Sequence, residues 1–280
     1  EIGMSNNAIR IMYQLFNAVE GVSCERVFVP APDFEETLRS RSIPLYTLES
    51  GTPLLEFDII AFSIGYELSA TNVLTVLDRG GIPLRRQDRT AGSPLVIAGG
   101  PAITNPAPFG DFFDAVFVGE AEACMGPVLE DLVALKKQGA GRSALHERFM
   151  ETGHFWNADT TTTVRRAVWM DFGLTASAPQ LPVPGIKTVQ DHGVVEIMRG
   201  CPNGCRFCHA GIFYRPYREK SFNRIDEEVA ALISTCGYRE ITITSLSTGD
   251  YSGIVPTINA LHQRYGSAGV SFSLPSLRVN

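Results

Sequence analysis

Apolar and polar positions along the first half of the chain follow two rhythms: short unbroken apolar runs, and longer stretches with apolar residues three and four apart. Ala8 to Val19 has the helical spacing, "ERVFVP" reads as a strand, "DFEETLRSR" as a short helix and "FDIIAFSIG" as a buried strand. "SATNVLTVLDRGG" predicts a helix opened by Ser69 as N-cap and stopped by glycine. "SPLVIAGGP" and "FDAVFVGE" are strands, and "AEACMGPVLEDLVALKKQG" is a helix ending at Gly139. Strands alternating with amphipathic helices build a parallel sheet covered on both faces, because each crossover lays its helix against the sheet. The expected fold class is therefore α/β, with a doubly wound, Rossmann-like domain over residues 1–140. Ligands of such sheets bind beyond the carboxyl ends of the strands, which groups "SIGYE", "AGGPAITNPAP" and "VGEAE" around one crevice.

Over residues 141–190 the periodicity weakens, and "SAPQLPVPG" has the proline and small residues of a connector. The strand-helix rhythm returns over 191–280: the strand "GVVEIMRG", a helix through "IDEEVAALISTCG", the strand "EITITSL", a helix through "YSGIVPTINALHQRYG" and the strand "GVSFSLPSLRV". No helix follows this last strand. The second domain is therefore expected to be cut short, with an open sheet edge that more chain would cover.

Composition narrows the class. With 44% hydrophobic and 19% charged residues the chain is globular, and its longest apolar runs fall far short of the roughly 20 residues a membrane span needs. "EIGMSNNAIR" lacks the basic and apolar regions of a signal peptide. A net charge of -6 and a pI near 5.4 argue against a protein that coats nucleic acid, leaving room only for a local basic path. Cys24, Cys124 and Cys236 are too scattered for a disulfide framework, so a reducing cytoplasm is expected.

The other three cysteines of the six sit together in "RGCPNGCRFCHAG", residues 199–211, as C-x3-C-x2-C. Thiolates are soft ligands that suit zinc or an iron-sulfur cluster. A structural zinc wants four protein ligands, and His209, directly after Cys208, points away from the centre its neighbour would ligate. An iron-sulfur cube held by three cysteines keeps one iron open for another ligand. Gly200 ends the preceding strand, and Gly204 suits a loop whose backbone passes close to a bulky cluster.

With the aromatic Phe207 before its third cysteine, this loop resembles the signature of the radical S-adenosylmethionine (SAM) superfamily, where it follows the first strand of a partial (β/α) barrel. The resemblance implies that Cys201, Cys205 and Cys208 hold a [4Fe-4S] cluster whose open iron is chelated by the amino and carboxylate groups of SAM. Reductive cleavage then yields methionine and a 5'-deoxyadenosyl radical that takes hydrogen from substrate. It also implies an electron donor such as flavodoxin or ferredoxin. "STGD", residues 247–250, stands where family members carry a Gly-Gly-Glu-like segment that binds the amino group of SAM. Thr248, Gly249 and Asp250 are thus candidates, a solvated turn being the alternative. Phe207, Ser276 and Arg278 are further candidates for contact with SAM, with an exposed salt bridge as the alternative for Arg278. His209 faces substrate or is a packed or solvated loop histidine. "FYRPYREK", residues 213–220, meets an anionic substrate or forms a solvated face.

"FSIGYELSATNVLTVLDRGGIPL" and "LVIAGGPAITNPAPFGDFFDAVFVGEAEA", ahead of that loop, resemble the cobalamin-binding domains fused to a subgroup of radical SAM enzymes. By that pattern the first strand is expected upstream of Glu1, so both ends read as truncated. Such domains often use D-x-H-x-x-G to ligate cobalt. Residues 1–145 contain no histidine, so cobalamin bound there would lack one below its metal. Ser63, Gly99 and Gly100 would line its tail. In the alternative, the glycines serve turns and close packing, and the domain is a scaffold or substrate-recognition module. The expected function is a radical SAM enzyme acting on a small-molecule or macromolecular substrate, with methyl transfer favoured by the domain combination alone. The alternatives are a non-catalytic iron-sulfur scaffold and a structural zinc module.

Overall fold

The structure, a computed structural model, describes residues 2–174 and 181–277. It divides into two compact units, one of Met12–Val168 and one of Glu1–Ile11 with Trp169–Asn280. Helix α1 (Asn7–Asn17) is followed by α2 (Pro32–Ser40), β1 (Ile59–Ser63), α3 (Ala70–Arg79), β2 (Leu95–Gly99), β3 (Ala115–Phe117), α4 (Met125–Lys137), α5 (Arg142–Glu151) and β4 (Phe155–Trp156). The sheet has the order β1-β2-β3-β4, parallel except for β4.

The side-chain period of two along β2 sorts its residues between two cores. Val96 and Ala98 lie with Ile60 and Val116 against Leu38 of α2 and Val73, Val76 and Leu77 of α3. Leu95 and Ile97 lie with Ala115 and Phe117 against Val128, Leu129 and Leu132 of α4 and Leu145 and Phe149 of α5. Each fully buried side chain of this size contributes about 1.5–3 kcal/mol, so the unbroken apolar run of β2 holds helices on both faces.

Three local readings differ from expectation. "ERVFVP" joins no sheet: Leu48 N–H donates to Arg26 O at 2.9 Å, and Arg26 N–H donates to Glu49 Oε2 at 2.7 Å, so a nearby turn takes its backbone. Ser69 is itself helical and makes no capping bond, because a 3-10 turn at Glu67–Ser69 runs straight into α3. The segment read as a connector carries α5 and β4, and the Phe155 ring of β4 packs 5.1 Å from Phe117 and 4.7 Å from Phe149. Its periodicity is faint because α5 gives only Leu145 and Phe149 to the core as fully buried residues.

In the second unit the order is β5 (Gly193–Glu196), β6 (Met198–Arg199), α6 (Ala210–Phe213), β7 (Arg218–Glu219), α7 (Phe222–Ser234), β8 (Glu240–Thr244), α8 (Ile254–Tyr265) and β9 (Ser271–Ser273). Strands β5, β8 and β9 form an open parallel sheet in that order, with no closed barrel among the described residues. Val195, Ile241 and Ile243 pack against Ile225, Val229 and Leu232 of α7 and Leu261 of α8. Among the described residues, no helix is long and apolar enough to cross a membrane.

Candidate functional site

The cysteine loop leaves and re-enters the fold at one place. Strands β6 and β7 pair antiparallel, Met198 with Glu219 and Arg199 with Arg218, closing the base of residues 200–217. Gly200 makes the exit at φ +83°, where a Cβ would stand 2.8 Å from the carbonyl oxygens of Tyr214 and Pro216. Only glycine fits there without shifting the returning chain. Arg218 Nε donates to Pro216 O at 3.0 Å, and its Nη1 donates to Trp169 O at 2.6 Å. Lys220 Nζ lies 2.6 and 2.8 Å from the two carboxylate oxygens of Glu228, and Tyr251 OH donates to Lys220 O at 2.8 Å. "FYRPYREK" is therefore not one solvated face. Arg218 and Lys220 are buried and hold the loop's base, while Arg215 and Tyr217 are exposed.

Within the loop, Gly211 N–H donates to Cys208 Sγ at 3.3 Å and Asn203 Nδ2 donates to Cys201 Sγ at 3.6 Å. Cys201, Cys205 and Cys208 are half-buried. Among the described residues, no three His, Cys, Asp or Glu side chains are gathered closely enough to hold a metal ion. The donor set nonetheless fits an iron-sulfur cluster. It offers soft thiols on one partly exposed loop, N–H groups aimed at two of the sulfurs, and open space beside Gly204, where a Cβ would meet nothing within 4 Å. His209 is exposed and stacks on Phe213, with centroids 5.6 Å apart and planes at 27°. Phe207 is 93% exposed, its ring presented outward.

The turn after β8 reaches this loop. Asp250 Oδ2 accepts from Ser247 Oγ at 2.6 Å and from Asn203 Nδ2 at 2.6 Å, and Tyr217 OH donates to Asp250 O at 3.3 Å. Thr248 is wholly buried, its hydroxyl 3.1 Å from that of Ser245, so its side chain props the turn rather than facing a ligand. Its N–H donates to the carbonyl of exposed Ser276 at 3.2 Å, and a Cβ on Gly249 would lie 3.8 Å from Leu277. Sequence candidates from three segments, Cys201, Asp250 with Thr248, and Ser276, are thus brought together; Arg278 lies outside the described residues. Asn203 was missed, and its only signal is an amide-bearing residue between the first two cysteines.

In the other unit, Ser63 and Gly99 pair in register at the carboxyl ends of β1 and β2. Gly100, at φ +116°, lies so close to Ile64 that a Cβ would come within 2.4 Å of its carbonyl oxygen, and Gly119 lies equally tight against Ala167. Close packing therefore accounts for the second glycine of "GGP". Residues 1–145 carry no histidine, but the compact unit runs on to Val168 and includes His146 and His154. His146 Nε2 lies 3.1 Å from the carbonyl of Asp114, just before β3. His154 Nδ1 lies 2.7 Å from Arg165 O, and its own carbonyl accepts the Val118 N–H just past the carboxyl end of β3. The fold-back of β4 brings in these residues. The Cys24 thiol is pushed up to about 11 by burial, reinforced by the Glu49 charge.

Comparison with known proteins matches residues 8–156 to the family described as radical SAM proteins, N-terminal, and residues 195–280 to the radical SAM superfamily. The chain is 26% identical over 280 residues to uncharacterized protein MJ0966 of Methanocaldococcus jannaschii, covering all of this chain and 57% of that one. It is 28% identical over 82 residues to a tRNA-2-methylthio-N(6)-dimethylallyladenosine synthase of Chlorobium phaeobacteroides, covering 29% of this chain and 18% of that protein. Its fold is similar to that of the radical SAM methyltransferase TsrM from Kitasatospora setae, solved with cobalamin and a [4Fe-4S] cluster. The TM-score is 0.55 at 11% identity, over 97% of this chain and 53% of TsrM. The chain thus spans about half the length of the proteins it matches from end to end. With the N-terminal family covering over half of it and the superfamily covering the cysteine loop, the chain belongs to the radical SAM proteins.

Proposed function

We propose that the full-length protein is a radical SAM enzyme in which Cys201, Cys205 and Cys208 hold a [4Fe-4S] cluster and the 247–250 turn, with Ser276, receives SAM. The observation that carries this reading is Asn203, whose amide ties the cysteine loop to Asp250 at the carboxyl end of the sheet. When bound and reduced, the cluster supplies the electron that cleaves the sulfonium of SAM. The chain's own residues hold the geometry. Gly200 and Arg218 fix the base of the loop, and the Asp250 carboxylate is oriented to accept from the SAM ammonium. The exposed Phe207 ring offers an apolar face to the nucleoside, and the Ser276 hydroxyl is a polar contact for the ribose or carboxylate.

The finer reading is methyl transfer. It is supported by the domain order and by the fold shared with TsrM, itself a methyltransferase solved with cobalamin. In this reading cobalamin lies over the carboxyl ends of β1 and β2 beside Ser63 and Gly99. The substrate is a small molecule or a macromolecule, and this chain's net charge of -6 does not indicate nucleic acid. An oxygen-sensitive cluster and free thiols favour the cytoplasm, with flavodoxin or ferredoxin as electron donor. Anaerobic reconstitution of the full-length protein with iron and sulfide tests the cluster. About four irons per chain are expected, with a spin-resonance signal of the reduced protein that changes on adding SAM. Cys205→Ala loses both; a variant that keeps full iron and the same response overturns the assignment.

A further inference from the structure

Asn203 stands between two groups that the proposed chemistry uses together. Its side-chain amide has two N–H donors and no way to leave either in apolar surroundings without cost. The Nδ2 atom lies 2.6 Å from Asp250 Oδ2 and 3.6 Å from Cys201 Sγ, the second distance being normal for the larger sulfur acceptor. Ser247 Oγ donates to the same Oδ2 at 2.6 Å, so two donors approach one carboxylate oxygen from residues 203 and 247 and set the orientation of the carboxylate. The Asp250 carbonyl lies 3.3 Å from Tyr217 Oη on the returning arm of the loop, a hydroxyl that also reaches Glu219 Oε1. The contact bridges 47 residues of sequence, and Gly204 next to it leaves the loop's outer side open.

We propose that Asn203 is a positioning residue that couples the first cysteine of the loop to the carboxylate that receives the SAM ammonium. The inference rests on the function proposed above. A thiolate ligating iron keeps lone pairs, and an N–H donated to one of them stabilises the more electron-rich, reduced state of the cluster. The other N–H of the same amide holds Asp250 in its accepting orientation. Loss of this one side chain therefore acts on two measurable quantities at once, the cluster's reduction potential and the affinity for SAM. Neither would move if Asn203 only filled space.

The test uses full-length protein reconstituted anaerobically, as wild type, Asn203→Ala, Asp250→Asn and the double variant. Asn203→Ala is expected to keep about four irons per chain. Its cluster should become harder to reduce by about threefold in the redox equilibrium, roughly 30 mV for one electron, and its Kd for SAM should rise about tenfold. Asp250→Asn should weaken SAM binding with little effect on the potential. In the double variant the affinity losses should be less than additive, because the two residues act through one contact. An Asn203→Ala protein with full iron and wild-type potential and Kd overturns the positioning role alone, as do strictly additive affinity losses. Wild-type protein that takes up no iron removes the cluster reading and this inference with it, and that failure is recognised from the wild type before any variant is compared. Should Asn203→Ala itself fold poorly, Asn203→Ser, which keeps a short donor, is expected to restore part of both quantities, and failure to restore either counts against the proposal.

Discussion

Replacing Gly200 by Ala gives the sharpest structural perturbation of the cysteine loop. A side chain at φ +83° carries the left-handed penalty, about 1–2 kcal/mol. Its Cβ would also stand 2.8 Å from two carbonyl oxygens and 3.0 Å from the Cα of Tyr217, all of them backbone atoms that move only with the strand. Overpacking of that kind costs a further ~1–3 kcal/mol, for a total of about 2–5 kcal/mol. Gly204→Ala is the control: nothing lies within 4 Å of its Cβ, so its cost should stay within about 0.5 kcal/mol. The chain has two tryptophans, and Trp156 and Trp169 fall in different units. Urea unfolding of the full-length protein with every tryptophan other than Trp169 replaced by Phe, followed by Trp169 fluorescence, therefore reads the unit that carries the loop. At an m-value of about 2 kcal/mol/M the Gly200→Ala midpoint should fall by roughly 1–2.5 M. A shift no larger than that of Gly204→Ala would refute the claim that the returning strand forces glycine at this exit.

Two further outcomes are expected. Burial raises the Cys24 thiol to about 11, which lowers its thiolate fraction at pH 8, and iodoacetamide should label it at least about tenfold more slowly in native than in urea-unfolded protein; equal rates would contradict the burial. Cobalamin bound by full-length protein should show no superhyperfine splitting from a histidine nitrogen of this unit in its cobalt(II) spectrum. His154 directly precedes β4, which stands three positions from β1 in the sheet, about 14 Å at 4.8 Å per strand. Splitting that disappears in His154→Ala would show that expectation wrong.

What the sequence made legible was periodic or locally dense. The apolar run at 95–98 could only be a strand covered on both faces, and three cysteines in eight positions named their chemistry before any coordinates. What stayed hidden depended on partners far along the chain. Arg218 reads as one more basic residue among aromatics until its guanidinium is seen bonding Trp169 O, 49 residues away. Asn203 reads as loop filler until its amide is seen on Asp250. Gly100 stood between a place along a cofactor tail and close packing, and the approach of Ile64 accounts for it by packing. The short β4 carries too few residues to show a period, so the reach of the first unit to Val168 and its two histidines went unread.

The central claim, that this chain forms the core of an enzyme and not an inert iron-sulfur scaffold, is tested most directly by SAM cleavage. Full-length protein, reconstituted and reduced with dithionite under anaerobic conditions, is incubated with SAM, and methionine is quantified against time. The account predicts methionine formation that requires reductant and is abolished in Cys205→Ala. Wild-type protein that binds about four irons yet releases no methionine above that variant, with or without a protein electron donor, would contradict it.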